Sequence, residues 1–129
     1  MKLKSIKNSK SIMIEIKEQE IEELIKSFEL LVVEKKNLII LNCQITINSF
    51  SNYKRNQLQL VVNNNQVSDC IYIEDSIITL SIERDTLDYT IELIENIISK
   101  KIPNMIEITE ITFKKWKQSS YLILHIISQ

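Results

Sequence analysis

The sequence predicts an α+β protein. Two β-α-β-β-type units, an internal duplication, place two amphipathic helices on one face of a mostly antiparallel sheet. Three observations predict this. Strand-like alternation at residues 12–17 recurs at 78–83, a helical spacing of apolar residues follows each run, and further alternating runs close each unit. The predicted boundaries are one domain over 1–129, with half-units 1–63 and 69–129.

The elements follow in order. Ile12, Ile14 and Ile16 alternate with Met13, Glu15 and Lys17, as Ile78, Leu80 and Ile82 alternate with Thr79, Ser81 and Glu83. A period of two marks a half-buried strand. Ile21, Leu24, Ile25, Phe28 and Val32 then fall at spacings of three and four, as do Leu87, Ile91, Ile94 and Ile98. At about 100° per residue each set forms one apolar stripe on a helix. Asp85, with Asp88 three residues on, is the expected cap of the second helix, because a carboxylate accepts free N–H groups and suits the positive end of the dipole. Pro103 marks its stop. Next come strands over Ile39–Ile47 and Met105–Phe113, aligned with Ile45 over Ile111 and Ile47 over Phe113. Closing strands hold Leu58, Leu60 and Val62, and then Leu122, Leu124 and Ile126. A short strand over Cys70–Ile73, turning at Glu74-Asp75-Ser76, opens the second unit, and Lys2–Ile6 is its counterpart. Tyr121–Ser128 is apolar on both sides, which predicts a central position or a second face covered by a partner.

Composition removes several chemistries. The chain has 129 residues, a net charge of −1 and no glycine. A phosphate-wrapping loop, a dinucleotide-binding turn and a nucleophile elbow all need glycine for close backbone approach or sharp turns. Left-handed turn positions are expected to go to Asn or Asp, as at Asn63-Asn64-Asn65, Asn37, Asn52 and Asn104. The 26 isoleucines, 14 lysines and 11 asparagines, against no alanine, indicate an AT-rich bacterial or phage genome. Cys43 and Cys70 lack metal-ligand spacing, so no metal and no cofactor is expected. The basic start (Lys2, Lys4, Lys7, Lys10) is followed by a charged, alternating run rather than an apolar one, and no run has membrane-spanning length. The expectation is a cytoplasmic protein with reduced thiols and no membrane contact.

The charges are segregated. Residues 11–34 carry seven acids and two bases, net −5, and residues 69–99 carry eight acids and one base, net −7. Glu18, Glu22 and Glu29 share one flank of the first helix, and Asp88 and Glu95, with Glu92 nearby, the equivalent flank of the second. Such carboxylates steer and dock a basic surface. The bases gather in Tyr53-Lys54-Arg55 and in Lys114-Lys115-Trp116-Lys117, the same loop of the two units. Interleaved bases and aromatics bind phosphates and stack bases, or anchor a protein partner. His125 lies among apolar residues and reads as a satisfied histidine within or beside the core. Cys43 reads as a buried thiol. Cys70, beside Asp69, is a poor nucleophile.

No catalytic constellation is present, so a non-enzymatic interaction protein is expected. In size and acidic helices the chain resembles the small free-standing interaction proteins of AT-rich bacteria and their phages, immunity proteins among them. That resemblance implies an inhibitor that occludes a basic partner, such as a toxin or effector, through its acidic helices. The alternative is a nucleic-acid-associated module that uses the basic aromatic loops. The doubly apolar last strand also leaves room for a homodimer.

Overall fold

The computed structural model describes residues 1–6, 10–33, 37–47, 55–63, 68–75, 77–99, 103–114 and 117–127, with backbone alone at 55 and 56. Eight strands and two helices follow in order: β1 (Lys2–Ser5), β2 (Ile12–Lys17), a 3-10 turn (Glu18–Glu20), α1 (Ile21–Val32), β3 (Leu38–Thr46), β4 (Arg55–Asn63), β5 (Cys70–Glu74), β6 (Ile77–Glu83), α2 (Arg84–Ile98), β7 (Met105–Phe113) and β8 (Gln118–Ile127).

The strands close into a barrel in the order β1-β2-β8-β7-β5-β6-β4-β3. This corrects the α+β expectation of an open sheet with two helices on one face. It also corrects the expectation of a mostly antiparallel sheet. Only the hairpin pairs are antiparallel (β1·β2, β3·β4, β5·β6 and β7·β8). The pairs β1·β3, β2·β8, β4·β6 and β5·β7 are parallel. The physical reason is the area of the apolar side. Every strand carries buried side chains, such as Leu3, Ile14, Cys43, Leu60, Ile71, Leu80, Ile111 and Leu124. Two helices of 12 and 15 residues cover little of that surface. Curling the sheet on itself buries it and leaves no open edges.

The two units are equivalent in space. Replacing β1, β2, β3 and β4 by β5, β6, β7 and β8, and the reverse, reproduces the same cyclic order. Leu3 lies beside Ile14 and Ile45, as Ile71 lies beside Leu80 and Phe113. Phe113 is therefore the counterpart of Ile45, two residues from the alignment that periodicity suggested. Ile39 and Ile106, which face the equivalent Leu60 and Leu124, are already one residue out of that alignment, and each strand then carries a bulge. One lies between Asn42 and Ile45 and one between Glu107 and Thr109. A bulge adds a residue while leaving the alternation on either side intact.

Strand direction positions the helices. β2, β4, β6 and β8 run one way and the other four run back. Both β2 and β6 therefore leave the barrel at one end, and α1 and α2 follow them there. The helices touch each other. Leu24, Phe28 and Leu87 close this end over the inward-facing Ile14, Leu58 and Leu80, with a residual cavity of about 10 Å³ between them. That is room for about one water molecule and for no organic ligand.

Left-handed backbone falls at Asp75 (φ 51°) and Lys117 (φ 50°) among the described residues. Asp75 lies in the predicted 74–76 turn. Asn37, Asn63 and Asn104 do not need this conformation, and Asn52, Asn64 and Asn65 lie outside the described residues.

Candidate functional site: an acidic helical cap

Helix α1 buries Ile21, Leu24, Phe28 and Leu31, and α2 buries Leu87, Thr90, Leu93, Ile94 and Ile97. Those stripes fix what faces solvent. Glu22 follows Ile21 as Asp88 follows Leu87, and Glu29 follows Phe28 as Glu95 follows Ile94. Glu18, Glu22, Glu29, Asp88, Glu92 and Glu95 are all exposed. The structure thus gathers the six predicted acidic residues at one end of the barrel. Glu22 and Glu29 occupy positions equivalent to Asp88 and Glu95. Lys26 Nζ lies 3.6 Å from Glu22, but both side chains are largely in water, where such a pair is weak.

A buried carboxylate holds α2 in place. Asp69, just before β5, accepts hydrogen bonds from the Glu83 N–H (2.7 Å), the Thr86 hydroxyl (2.9 Å) and the Thr109 hydroxyl (2.7 Å). Asp69 ties the start of α2 to β7, and Asp85 is not the cap; α2 begins at Arg84 with Asp85 inside its first turn. The first unit solves the same problem with a different residue. The Glu20 carboxylate accepts the Lys17 N–H at 3.0 Å and pairs with the amino group of Met1. Those partners hold the Glu20 carboxyl below its usual range, the amino group contributing most. Sequence reading missed Asp69. Its one signal is a lone acid ahead of a strand, and its partners stand up to 40 positions away.

The basic predictions fare differently. Tyr53, Lys54, Lys115 and Trp116 lie outside the described residues, as does the Arg55 side chain. Their neighbours Lys114 and Lys117 are exposed, and Lys114 Nζ stands 5.1 Å from the centre of the Tyr72 ring. By strand direction, β3 and β7 end, and β4 and β8 begin, at the end of the barrel away from the helices.

His125 lies beside the core and not within it, half-buried, and its Nδ1 is not satisfied. It sits on the outer side of β8 beside Glu15 of β2 and Met105 of β7. Its Nδ1 is 3.7 Å from Glu15 Oε2, and among the described residues it has no hydrogen-bond partner. Glu15 Oε2 takes Lys4 Nζ at 2.8 Å. That bond outweighs partial burial and holds the Glu15 carboxyl below its usual range, with the charges of Lys4, His125 and Lys2 adding to it. Cys43 is buried, which pushes its thiol up to about 11. Burial also raises the Cys70 thiol, and Asp69 adds a smaller upward push. Among the described residues no group of three His, Cys, Asp or Glu side chains is placed to hold a metal ion. Within the same residues no helix is long and apolar enough to cross a membrane.

The chain matches no protein family, no curated protein and no solved structure.

Proposed function

We propose that this is a non-enzymatic interaction protein whose acidic helical cap occludes a basic protein partner, in the manner of an immunity or inhibitor protein. The observation that carries the reading is the shared placement of the acids. Two helices far apart in sequence lie at one barrel end with Glu22, Glu29, Asp88 and Glu95 exposed at equivalent positions. Carboxylates at one end focus a negative potential that speeds encounter with a positive surface and rejects a negative one. The apolar stripes beneath make the cap rigid, so little ordering entropy is lost on docking.

The test is affinity capture from lysate of the source cell, run in parallel with the double variant Glu22→Lys with Asp88→Lys and the loop variant Lys115→Glu. The expected result is one dominant basic protein, held by the parent and by Lys115→Glu and lost by the double variant. Capture that survives the double variant and fails with Lys115→Glu overturns the reading.

A second reading, nucleic-acid association, draws support from strand direction. The strand ends that flank both basic aromatic segments lie at the same end of the barrel, opposite the acids. Binding to phosphate backbones through those segments weakens steeply as salt rises, which a titration with a labelled oligonucleotide at two ionic strengths measures.

A further inference from the structure

We propose that this chain forms an interleaved dimer by exchange of halves, in which the first half of one copy closes a barrel with the second half of another. This is independent of the acidic-cap reading.

Each half is a continuous piece of the barrel. Within residues 1–63 the strands pair in the order β2-β1-β3-β4, and within 69–129 in the order β6-β5-β7-β8. α1 packs chiefly on β3 and β4, and α2 on β6 and β7, so each helix belongs to its own half. The halves meet at two seams, β2·β8 and β4·β6, at the contact of α1 with α2, and through the core they share. Taken alone, each half has two bare edges and one uncovered apolar side. Ile14, Ile45 and Leu60 line that side in the first half, and Leu80, Phe113 and Leu124 in the second. A bare edge pairs with whatever strand fits it. The surface that fits both edges of a first half at once is a second half, and every copy of the chain carries one. That complementarity selects the occupant, and an exchanged barrel keeps every pairing of the closed chain.

The covalent chain crosses between the halves once. Asn63 pairs with Glu83 across the β4·β6 seam, and Asp69 takes the Glu83 N–H from the other side. The crossing therefore steps over one strand, about 10 Å at the usual strand spacing. Six peptide steps reach roughly 20 Å when extended, far enough to enter a neighbouring barrel. Beside the crossing, Gln57, Gln59, Val61, Thr79 and Ser81 carry no charge that would repel a second barrel.

Because the two closures share their contacts, concentration decides between them. A short tether holds two segments at an effective concentration on the order of 1 mM. Chains that fold in dilute solution close on themselves. Chains that fold near that concentration meet another copy's half as often as their own. A closed barrel releases its partner only by opening both seams, so the exchanged form persists on dilution.

The test is to refold the full chain from urea at about 10 µM and at about 1 mM, on either side of that effective concentration, and to compare both by sedimentation velocity after dilution. The 1 mM sample is expected to hold at least ten-fold more of a species at twice 15.2 kDa. Native monomer that is concentrated without unfolding is expected to stay monomeric. Lys17→Cys with Ile127→Cys, in a Cys70→Ser background, sets two cysteines opposite each other across the β2·β8 seam. Oxidation is then expected to join the two chains of the dimer covalently and to cross-link the monomer only within itself. Monomer alone after folding at 1 mM overturns the proposal. So does a dimer that forms without unfolding, or one whose disulfides stay within each chain.

Discussion

The carboxylate of Asp69 accepts a 2.7 Å hydrogen bond from the hydroxyl of Thr109, a residue 40 positions further along the chain. The same carboxylate takes the Glu83 N–H and the Thr86 hydroxyl, and Asp69 is only 5% exposed. Three donors therefore depend on one buried group. Asp69→Ala removes the acceptor of all three, with the Thr109 hydroxyl left only the Glu110 carbonyl at 3.2 Å, and hydrogen bonds to a charged group are worth about 1.5–3 kcal/mol each before partial rescue by water. The expected loss is about 2–4 kcal/mol of unfolding free energy, read from urea denaturation. Thr86→Val removes one donor together with its need and should cost less. A loss under about 0.5 kcal/mol for Asp69→Ala would show that the clamp is dispensable.

Lys4 and Glu15 predict an acid-sensitive contribution. The Lys4 ammonium holds the Glu15 carboxyl below the ordinary glutamate value in the folded chain. A carboxylate with a depressed folded value gives stability that is complete above its unfolded value, about 4.3, and is lost as pH falls through the folded value. Lys4→Met should therefore lower the urea midpoint at pH 7, and the deficit should shrink below about pH 4. A deficit that stays constant from pH 7 to pH 3 would contradict the assignment.

The two cysteines should differ in reactivity. Cys43 is 1% exposed and its thiol is raised to about 11, whereas Cys70 is partly accessible. The thiolate is the reactive form. Alkylation at pH 8 under native conditions should modify Cys70 first and Cys43 only as fast as the barrel opens. Mass spectrometry of timed digests reads both. Equal rates in the folded protein would exclude the described placement of Cys43.

Ile14 and Leu80 occupy equivalent positions in the two units, each at a strand centre with its side chain in the barrel. Ile14→Ala and Leu80→Ala should each cost about 2–5 kcal/mol, the range for emptying a packed core site. If the barrel unfolds as one body, both changes shift the same single transition. Two separable transitions, each moved by one substitution, would show that the halves melt independently.

Much of the element map was legible in the sequence. The alternation at Ile12–Ile16 and Ile78–Ile82, and the three-and-four spacing from Ile21 and from Leu87, each depend on neighbours within a few residues. The exposed flank of Glu22, Glu29, Asp88 and Glu95 follows from the same spacing. Barrel closure was not legible. Leu3 meets Ile45, and Ile14 meets Leu124, through pairings that no local period encodes. An alternating strand looks alike in an open sheet and in a closed one. The shift of Phe113 onto Ile45 was hidden for a related reason, because an alternating pattern fits equally well two residues away. His125 looked like a core residue because Ile123 and Ile127 flank it on the outer side, where side chains are usually polar.

The interleaving of the units governs how the chain must be made. β8 lies between β7 and β2, so Ile12 waits for Leu122 and Ile16 for Ile126. On a ribosome the N-terminal hairpin therefore emerges long before its neighbour exists. β2 holds an unpaired margin throughout the synthesis of more than a hundred residues. Pairings this distant close slowly, because loop entropy must be overcome before the contacts form. A nascent chain is exposed to chaperones and to edge-to-edge aggregation for that whole interval. Acquisition of protease resistance is thus expected to be a late, single event that follows release of β8 from the exit tunnel.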